Sequence, residues 1–283
     1  MGGCTGCNLC ARHCRPGAVR ERRTLWFRRR FDPHDPITAS DSVACPLIWV
    51  EVTLLLAGAP VYVGASREAV LQAAAAAVMR LPAVHDAELK NKRVSIVVSG
   101  GANTPALARQ LADGWRGSVT PSFIVSDERW SPDRSLSNAH ELANHLAGSV
   151  FSSAPILAPT MQGDIDSSAI EWSRALEGYS PPVVALLSMG DDGHVASLFP
   201  NLNVVSVGTN VAICRESPKP PPTRISLSMD YLGQIPHRFI VAIGSVKCAT
   251  LRDIQAGCGR PVTDLSPTQW FLDTAATGDP QDD

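Results

Sequence analysis

The sequence predicts an α/β fold, a mostly parallel sheet with helices on both faces. Three observations point there. Short apolar runs of the kind that form buried strands recur along the chain, helical patterns alternate with them, and several runs end in polar, glycine-bearing loops. With 283 residues the chain is long enough for one large domain or two small ones with a real core. Hydrophobic residues make up 45% and charged residues 18%, which excludes a mostly disordered chain. The formal net charge of −2 argues against a nucleic-acid partner. No apolar run approaches the roughly 18 residues of a transmembrane span, so no membrane partner is expected either.

The compact pattern starts at about Ile48. Residues 66–80 are alanine-rich, with Ser66 as a cap, and are expected to be helix. Val94 to Val98 reads as a strand running into Ser99-Gly100-Gly101-Ala102-Asn103-Thr104-Pro105. Residues 106–113 make the next helix, with Thr104 as its cap and Pro105 in its first turn. Residues 122–126 are a strand carrying the Asp127-Glu128-Arg129-Trp130 loop at its carboxyl end, and a helix follows over 137–147. Residues 183–187 form another buried strand, ending at Ser188-Met189-Gly190-Asp191-Asp192-Gly193-His194. Strands are also expected over 225–228 and 239–243, and a helix from Lys247 to Gln255. Ligands of open α/β sheets bind beyond the carboxyl ends of strands, so loops 99–105, 127–130 and 188–194 are expected to converge on one crevice.

Residues 1–46 read differently, as a basic, cysteine-rich and flexible extension set off from a domain over 47–283. Residues 1–30 hold eight of the 25 basic residues and one of the 27 acidic ones, which leaves 17 against 26, or −9, for the remainder. Asp32, Pro33, His34, Asp35 and Pro36 break any regular pattern. Cys4, Cys7, Cys10 and Cys14 have the spacing of half a bacterial ferredoxin motif, with Cys45 as a remote fifth thiol. The complementary cysteine set of a two-cluster ferredoxin is missing, since Cys214, Cys248 and Cys258 are scattered. That usage suits a reducing, cytoplasmic compartment, and the N-terminus lacks a secretory apolar stretch.

Three constellations carry chemistry. Gly100 and Gly101 allow a tight turn, and the helix start after them offers N–H groups to a phosphate or carboxylate; a plain strand–turn–helix junction has the same pattern. His194 can take a proton near neutrality, and Asp192 stands close enough to orient it; a solvated Asp/Gly turn with a surface histidine reads the same way. Lys219 and Arg224 flank a stiff proline run over 217–224, where two cations could hold a phosphate dianion, or simply decorate an exposed loop. Arg129 either joins them or pairs with Asp127 or Glu128.

With these motifs placed, the chain resembles the 6-phosphogluconolactonase family from roughly residue 60 to 276. The resemblance rests on Ser99–Pro105, Asp127–Arg129, Ser137-Asn138, Met189–Pro200, Ser217–Leu227, Gly244 with Lys247, and Trp270–Ala276, in that order. It implies a Rossmann-like fold of the sugar-phosphate isomerase/deaminase type. It also implies hydrolysis of a small sugar-phosphate lactone, 6-phosphogluconolactone, in the oxidative pentose phosphate pathway. His194 would activate water, with Asp192 beside it. Gly100, Gly101, Asn103, Thr104, Asp127, Arg129, Lys219 and Arg224 would hold the substrate, and neither a metal nor an organic cofactor is implied. The related glucosamine-6-phosphate deaminases share an Asp-Gly-His core but continue differently from Ala196-Ser197-Leu198-Phe199-Pro200. The chain departs from the pattern in a glycine loop one residue longer, and at Ser131, Pro182 and Ser188, the last in place of a usual glycine.

A chain beginning near residue 47 is therefore expected to fold and to keep nearly full lactonase activity, and the full-length protein is expected to purify without metal. Anaerobic purification followed by elemental analysis and a spectrum near 400 nm tests this. About four irons with four labile sulfides, or near-stoichiometric zinc on the N-terminal thiols, would contradict it.

Overall fold

The structure, a computed structural model, describes residues 54–278. The expectations for residues 1–46, including Cys4, Cys7, Cys10, Cys14 and Cys45, lie outside the described residues.

Along the chain the strands are β1 (Leu55–Leu56), β2 (Ala59–Gly64), β3 (Ser95–Val98), β4 (Ser122–Val125), β5 (Asp127–Arg129), β6 (Ile156–Leu157), β7 (Pro182–Ser188), β8 (Val205–Val207), β9 (Val211–Cys214), β10 (Arg224–Leu227), β11 (His237–Ala242) and β12 (Gln269–Asp273). Eight of them form the main sheet in the order β1-β2-β12-β11-β7-β3-β4-β6. Every neighbouring pair is parallel except β1 and β2. The helices are α1 (Arg67–Met79), α2 (Pro82–Lys90), α3 (Thr104–Gly114), α4 (Asn138–Leu146), α5 (Ile165–Glu177), α6 (Met229–Gln234), α7 (Cys248–Gln255), α8 (Pro261–Asp264) and α9 (Thr274–Thr277). The predicted fold class is borne out.

The central strands are apolar throughout because both of their faces are covered. Side chains alternate between two cores with the strand period of two. Ile96, Val98, Leu186, Val241 and Phe271 face a core shared with Val70, Val78, Leu107, Leu111 and Leu142 of α1, α3 and α4. Val97, Leu187, Ile240, Trp270 and Leu272 face the opposite core, closed by Ala169 and Trp172 of α5 and by Leu251 and Ile254 of α7. The Trp270 indole donates to the Leu56 carbonyl at 3.0 Å, satisfying its one polar atom inside that core.

Two expectations need correction. Asp127–Arg129 is not a loop. It is a strand of a second sheet, ordered β5-β10-β9-β8 and antiparallel throughout, and residues 225–228 belong to this sheet rather than the main one. The polar composition of Asp-Glu-Arg hid the strand, because these charges are satisfied by hydrogen bonds rather than by solvent. The second correction concerns Thr104. It does not cap α3 but is its first residue, after Asn103. Its hydroxyl turns back to donate to the Ser99 carbonyl at 2.7 Å, so no side chain caps the amino end of this helix.

Chain order and sheet order together place the site. From β3 the chain moves outward to β4, and from β7 it moves the other way to β11. The adjacent strands β3 and β7 thus form a switch point, and their diverging loops leave a crevice at their carboxyl ends.

Candidate active site

A cavity of about 340 Å³ occupies that crevice. Of the residues singled out from sequence, Gly100, Gly101, Asp127, Arg129, His194, Lys219 and Arg224 line it. Asp192 reaches it through His194. Asn103 and Thr104 are not among the lining residues: Asn103 Oδ1 accepts from Arg67 Nε at 3.0 Å, and Thr104 is fully buried against Ser99.

The loop after β3 is shaped by missing side chains. Gly101 has φ +88, a left-handed conformation open to glycine. A Cβ on Gly100 would stand 2.1 Å from Asn138 Oδ1, so Gly100 is what lets α4 approach. Asn138 is held there by its amide, which donates to the Asp127 carbonyl at 2.8 Å. Glu128 anchors the same helix end, accepting from the N–H groups of Asn138 and Ala139 at 2.7 and 3.0 Å and from the Ser137 hydroxyl at 2.9 Å.

The cations come from the small sheet. In the β5–β10 ladder Arg129 lies directly opposite Arg224, so the two guanidinium groups share one face, and both line the cavity. Arg224 is buried. Its Nε and Nη2 donate to the carbonyls of Pro221, Lys219 and Pro220 at 3.0–3.2 Å, its Nη1 lies 4.0 Å from Asp127 Oδ2, and its guanidinium stacks 5.7 Å from the centre of the Phe199 ring. Burial lowers its pKa, the Asp127 charge opposes that, and the Arg129 charge adds to it. The proline run is not a free loop: Arg224 staples it, and Ser217 closes it by donating to the Lys219 carbonyl at 2.9 Å. Lys219 itself is paired with Asp191.

His194 lines the same cavity. Its Nδ1 is 2.5 Å from Asp192 Oδ1, which also accepts from the His194 N–H at 3.1 Å. The imidazole fits because Gly190 has no side chain; a Cβ there would lie 2.0 Å from Nδ1. The other side of the ring packs on Phe199 at 4.4 Å between centroids. With Nδ1 committed to a carboxylate, Nε2 is left as the acceptor. Burial raises the Asp192 carboxyl, but the hydrogen bond and charge of His194 outweigh it and hold the group down at about 2. Ligand atoms of Asp191, Asp192 and His194 lie within 4.8 Å of one another. Lys219 pairs with Asp191 and the imidazole hydrogen-bonds to Asp192, so the three residues belong to one internal network.

Sequence reasoning left Lys247, Asn138, Ser99 and Ser188 without a role, yet all four line the cavity. Lys247 was visible only as part of a motif. Burial holds its ammonium below the usual lysine value against the opposing charge of Asp191, and it forms no ion pair within 4.0 Å among the described residues.

The family model described as glucosamine-6-phosphate isomerases/6-phosphogluconolactonase matches residues 65–277. A 6-phosphogluconolactonase of Pseudomonas putida is 32% identical over 169 residues, covering 57% of this chain and 70% of that protein. One of Mycobacterium leprae is 28% identical over 218 residues, covering 68% and 87%. Among solved structures, the 6-phosphogluconolactonase of Thermotoga maritima superposes with a TM-score of 0.63 at 21% identity, over 76% of this chain and 99% of that one. A monomeric glucosamine-6-phosphate deaminase superposes almost as well, with a TM-score of 0.61 at 15% identity, over 78% of this chain and 99% of that one. The fold is thus common to both chemistries.

The Asp192 pair has a pH signature. Its folded pKa lies below the ordinary 3.8, so the ionised group stabilises the fold above about pH 5, and this is lost as pH falls through about 4 towards 2. Urea midpoints of the wild type and Asp192→Asn are expected to differ by a constant amount between about pH 5 and 6 and to converge below about pH 4. A gap that widens on acidification would contradict the assignment.

Proposed function

The chain belongs to the glucosamine-6-phosphate isomerase/6-phosphogluconolactonase family, and from that premise we propose that it hydrolyses 6-phospho-D-glucono-1,5-lactone to 6-phosphogluconate, acting in the cytoplasm through residues 47–283. One observation carries the reading: a pair of like-charged arginines and a carboxylate-oriented imidazole line the same cavity. The arginines call for an anion, and the imidazole presents a base.

In this reading the phosphate is held by Arg129 and Arg224, with Lys247 and Lys219 at the edge of the same charge field. Holding the phosphate sets C1 of the lactone near His194, so binding energy far from the reacting bond is spent on orientation. Nε2 of His194 takes a proton from water as the water oxygen bonds to C1. The carbonyl oxygen becomes an oxyanion, then the C1–O5 bond breaks and the imidazolium returns the proton to the ring oxygen. Asp192 keeps Nδ1 protonated and stabilises the imidazolium. The N–H groups of Gly101, Gly190 and Gly193 are engaged within the chain, by Glu141, His194 and Gly190 respectively. The Gly100 N–H is then the glycine-loop donor left for the oxyanion.

Lactone hydrolysis coupled to phosphogluconate dehydrogenase, corrected for spontaneous opening, tests the activity. Ammonia release from glucosamine 6-phosphate without lactone opening would favour the deaminase branch instead. His194→Ala is expected to lower kcat by roughly 10²–10⁴-fold with a smaller change in KM; retention of half the wild-type turnover would remove His194 as the base. Arg224→Ala and Lys219→Ala are expected to impair the phosphorylated lactone far more than unphosphorylated gluconolactone. The Arg224 loss should be the larger, because truncating a buried charged partner costs about 2–5 kcal/mol. Equal losses on both substrates would move the phosphate site elsewhere.

A further inference from the structure

Ser188 is the last residue of β7 and the only polar side chain on that strand. It lies in the cavity wall between the glycine loop and the His194 loop. Its backbone is fixed, since its N–H donates to Ser99 Oγ at 2.8 Å. Its hydroxyl is not: Oγ is shielded from solvent and meets no hydrogen-bond partner among the described residues. Only four buried side-chain polar atoms among the described residues share that condition. The other three belong to Trp115, Trp172 and Asn138, and Asn138 lines the same cavity.

A buried hydroxyl without a partner costs folding free energy, and such a group in an otherwise satisfied structure asks for a reason. Nothing in the fold supplies one here. Replacing the hydroxyl with a hydrogen would leave the strand, its register and the Ser99 bond as they are. The serine side chain moves between staggered wells about a single bond, and turning Oγ towards the cavity gives up no hydrogen bond. The group is neutral and both donates and accepts, which suits an alcohol better than a phosphate. The charged end of the cavity is already provided by Arg129 and Arg224.

We propose that Ser188 is a specificity-determining residue whose hydroxyl exchanges a hydrogen bond with one ring hydroxyl of the polyhydroxylated lactone. The proposal rests on the hydrolytic reading above, whose substrate carries free hydroxyls on C2, C3 and C4 between the reacting carbon and the phosphate-bearing end.

The test is a cycle of wild type and Ser188→Ala against the phosphorylated lactone and its 2-, 3- and 4-deoxy analogues, with thermal melting of both proteins. On the full substrate Ser188→Ala is expected to lose roughly three- to tenfold in kcat/KM, the worth of one neutral hydrogen bond. On one deoxy analogue, and one only, that penalty should shrink to within about twofold. The melting temperature should stay level or rise, because an unsatisfied hydroxyl has been removed. A penalty of the same size on every analogue, no penalty on the full substrate, or a fall in melting temperature would each overturn the proposal. If the wild type opens the full lactone, any of those results counts against Ser188 alone; if it opens none of the lactones, the hydrolytic reading fails and takes Ser188 with it.

Discussion

Two guanidinium groups placed directly opposite each other on neighbouring strands repel, and the β5–β10 ladder holds Arg129 and Arg224 in that relation. Much of the site is arranged around this repulsion. Asp127 lies two residues before Arg129 on the same face, opposite Ser226, and brings a carboxylate to 4.0 Å from Arg224. It is kept there by the hydroxyls of Ser126 and Ser197 at 2.7 and 2.6 Å. Ser197 follows His194 by three residues, so the carboxylate that tempers the arginines also ties the His194 segment to the small sheet. Arg224 binds the backbone of the proline run that carries Lys219. One buried cation thereby positions a second one and stacks on the phenylalanine that supports the imidazole. A single carboxylate facing two guanidinium groups leaves positive charge in the cavity, a balance that favours an anion.

Space in this site is made by glycine as much as by strand geometry. Gly100 lets the Asn138 amide pack against the loop after β3, and Gly190 makes room for the imidazole. The helix that the loop admits is in turn capped by Glu128, a neighbour of the arginine it helps to place. The two walls are linked through Ser99, whose hydroxyl accepts from the Ser188 N–H and whose carbonyl accepts from Thr104. The ends of β3 and β7 are thus tied by the Ser99–Ser188 bond and by the Ser99 N–H, which donates to the Leu186 carbonyl at 3.0 Å.

The main sheet was legible because strands buried on both faces are written as unbroken apolar runs, and Val94–Val98 and 183–187 are of that kind. The cap at Ser66 was legible too, and it accepts from the Ala69 N–H at 3.2 Å. The small sheet was not. β5 contains no apolar residue, and its pairing with β10 is a contact between segments about a hundred residues apart that no local pattern encodes. Thr104 misled because a threonine before a proline has the composition of a cap whether or not its hydroxyl has found a better acceptor. The Asp-Gly-His loop gave its own chemistry away by residue type, while Lys247 needed the fold to bring it to the cavity. Ser188 could be noticed as a departure from the family pattern, but only the structure leaves its hydroxyl without a partner among the described residues.

Asp191 and Asp192 are adjacent in sequence, and two carboxylates so close would ordinarily raise each other's pKa. The fold separates them by giving each a different partner. Asp191 faces outward to Lys219, which holds its carboxyl below the usual range, and its carbonyl accepts from Thr250, fixing the loop to α7. Asp192 turns inward to His194. The imidazole is thus hydrogen-bonded to one carboxylate, while the other, also within 4.8 Å, is paired with Lys219. A hydrogen-bonded carboxylate on Nδ1 fixes the tautomer of the ring. Lys219 has a matching double position. Bound to Asp191 it damps the charge next to His194, and facing the cavity it adds to the field of the arginines. The same cation thus links the Asp191–His194 loop to the arginine side of the cavity.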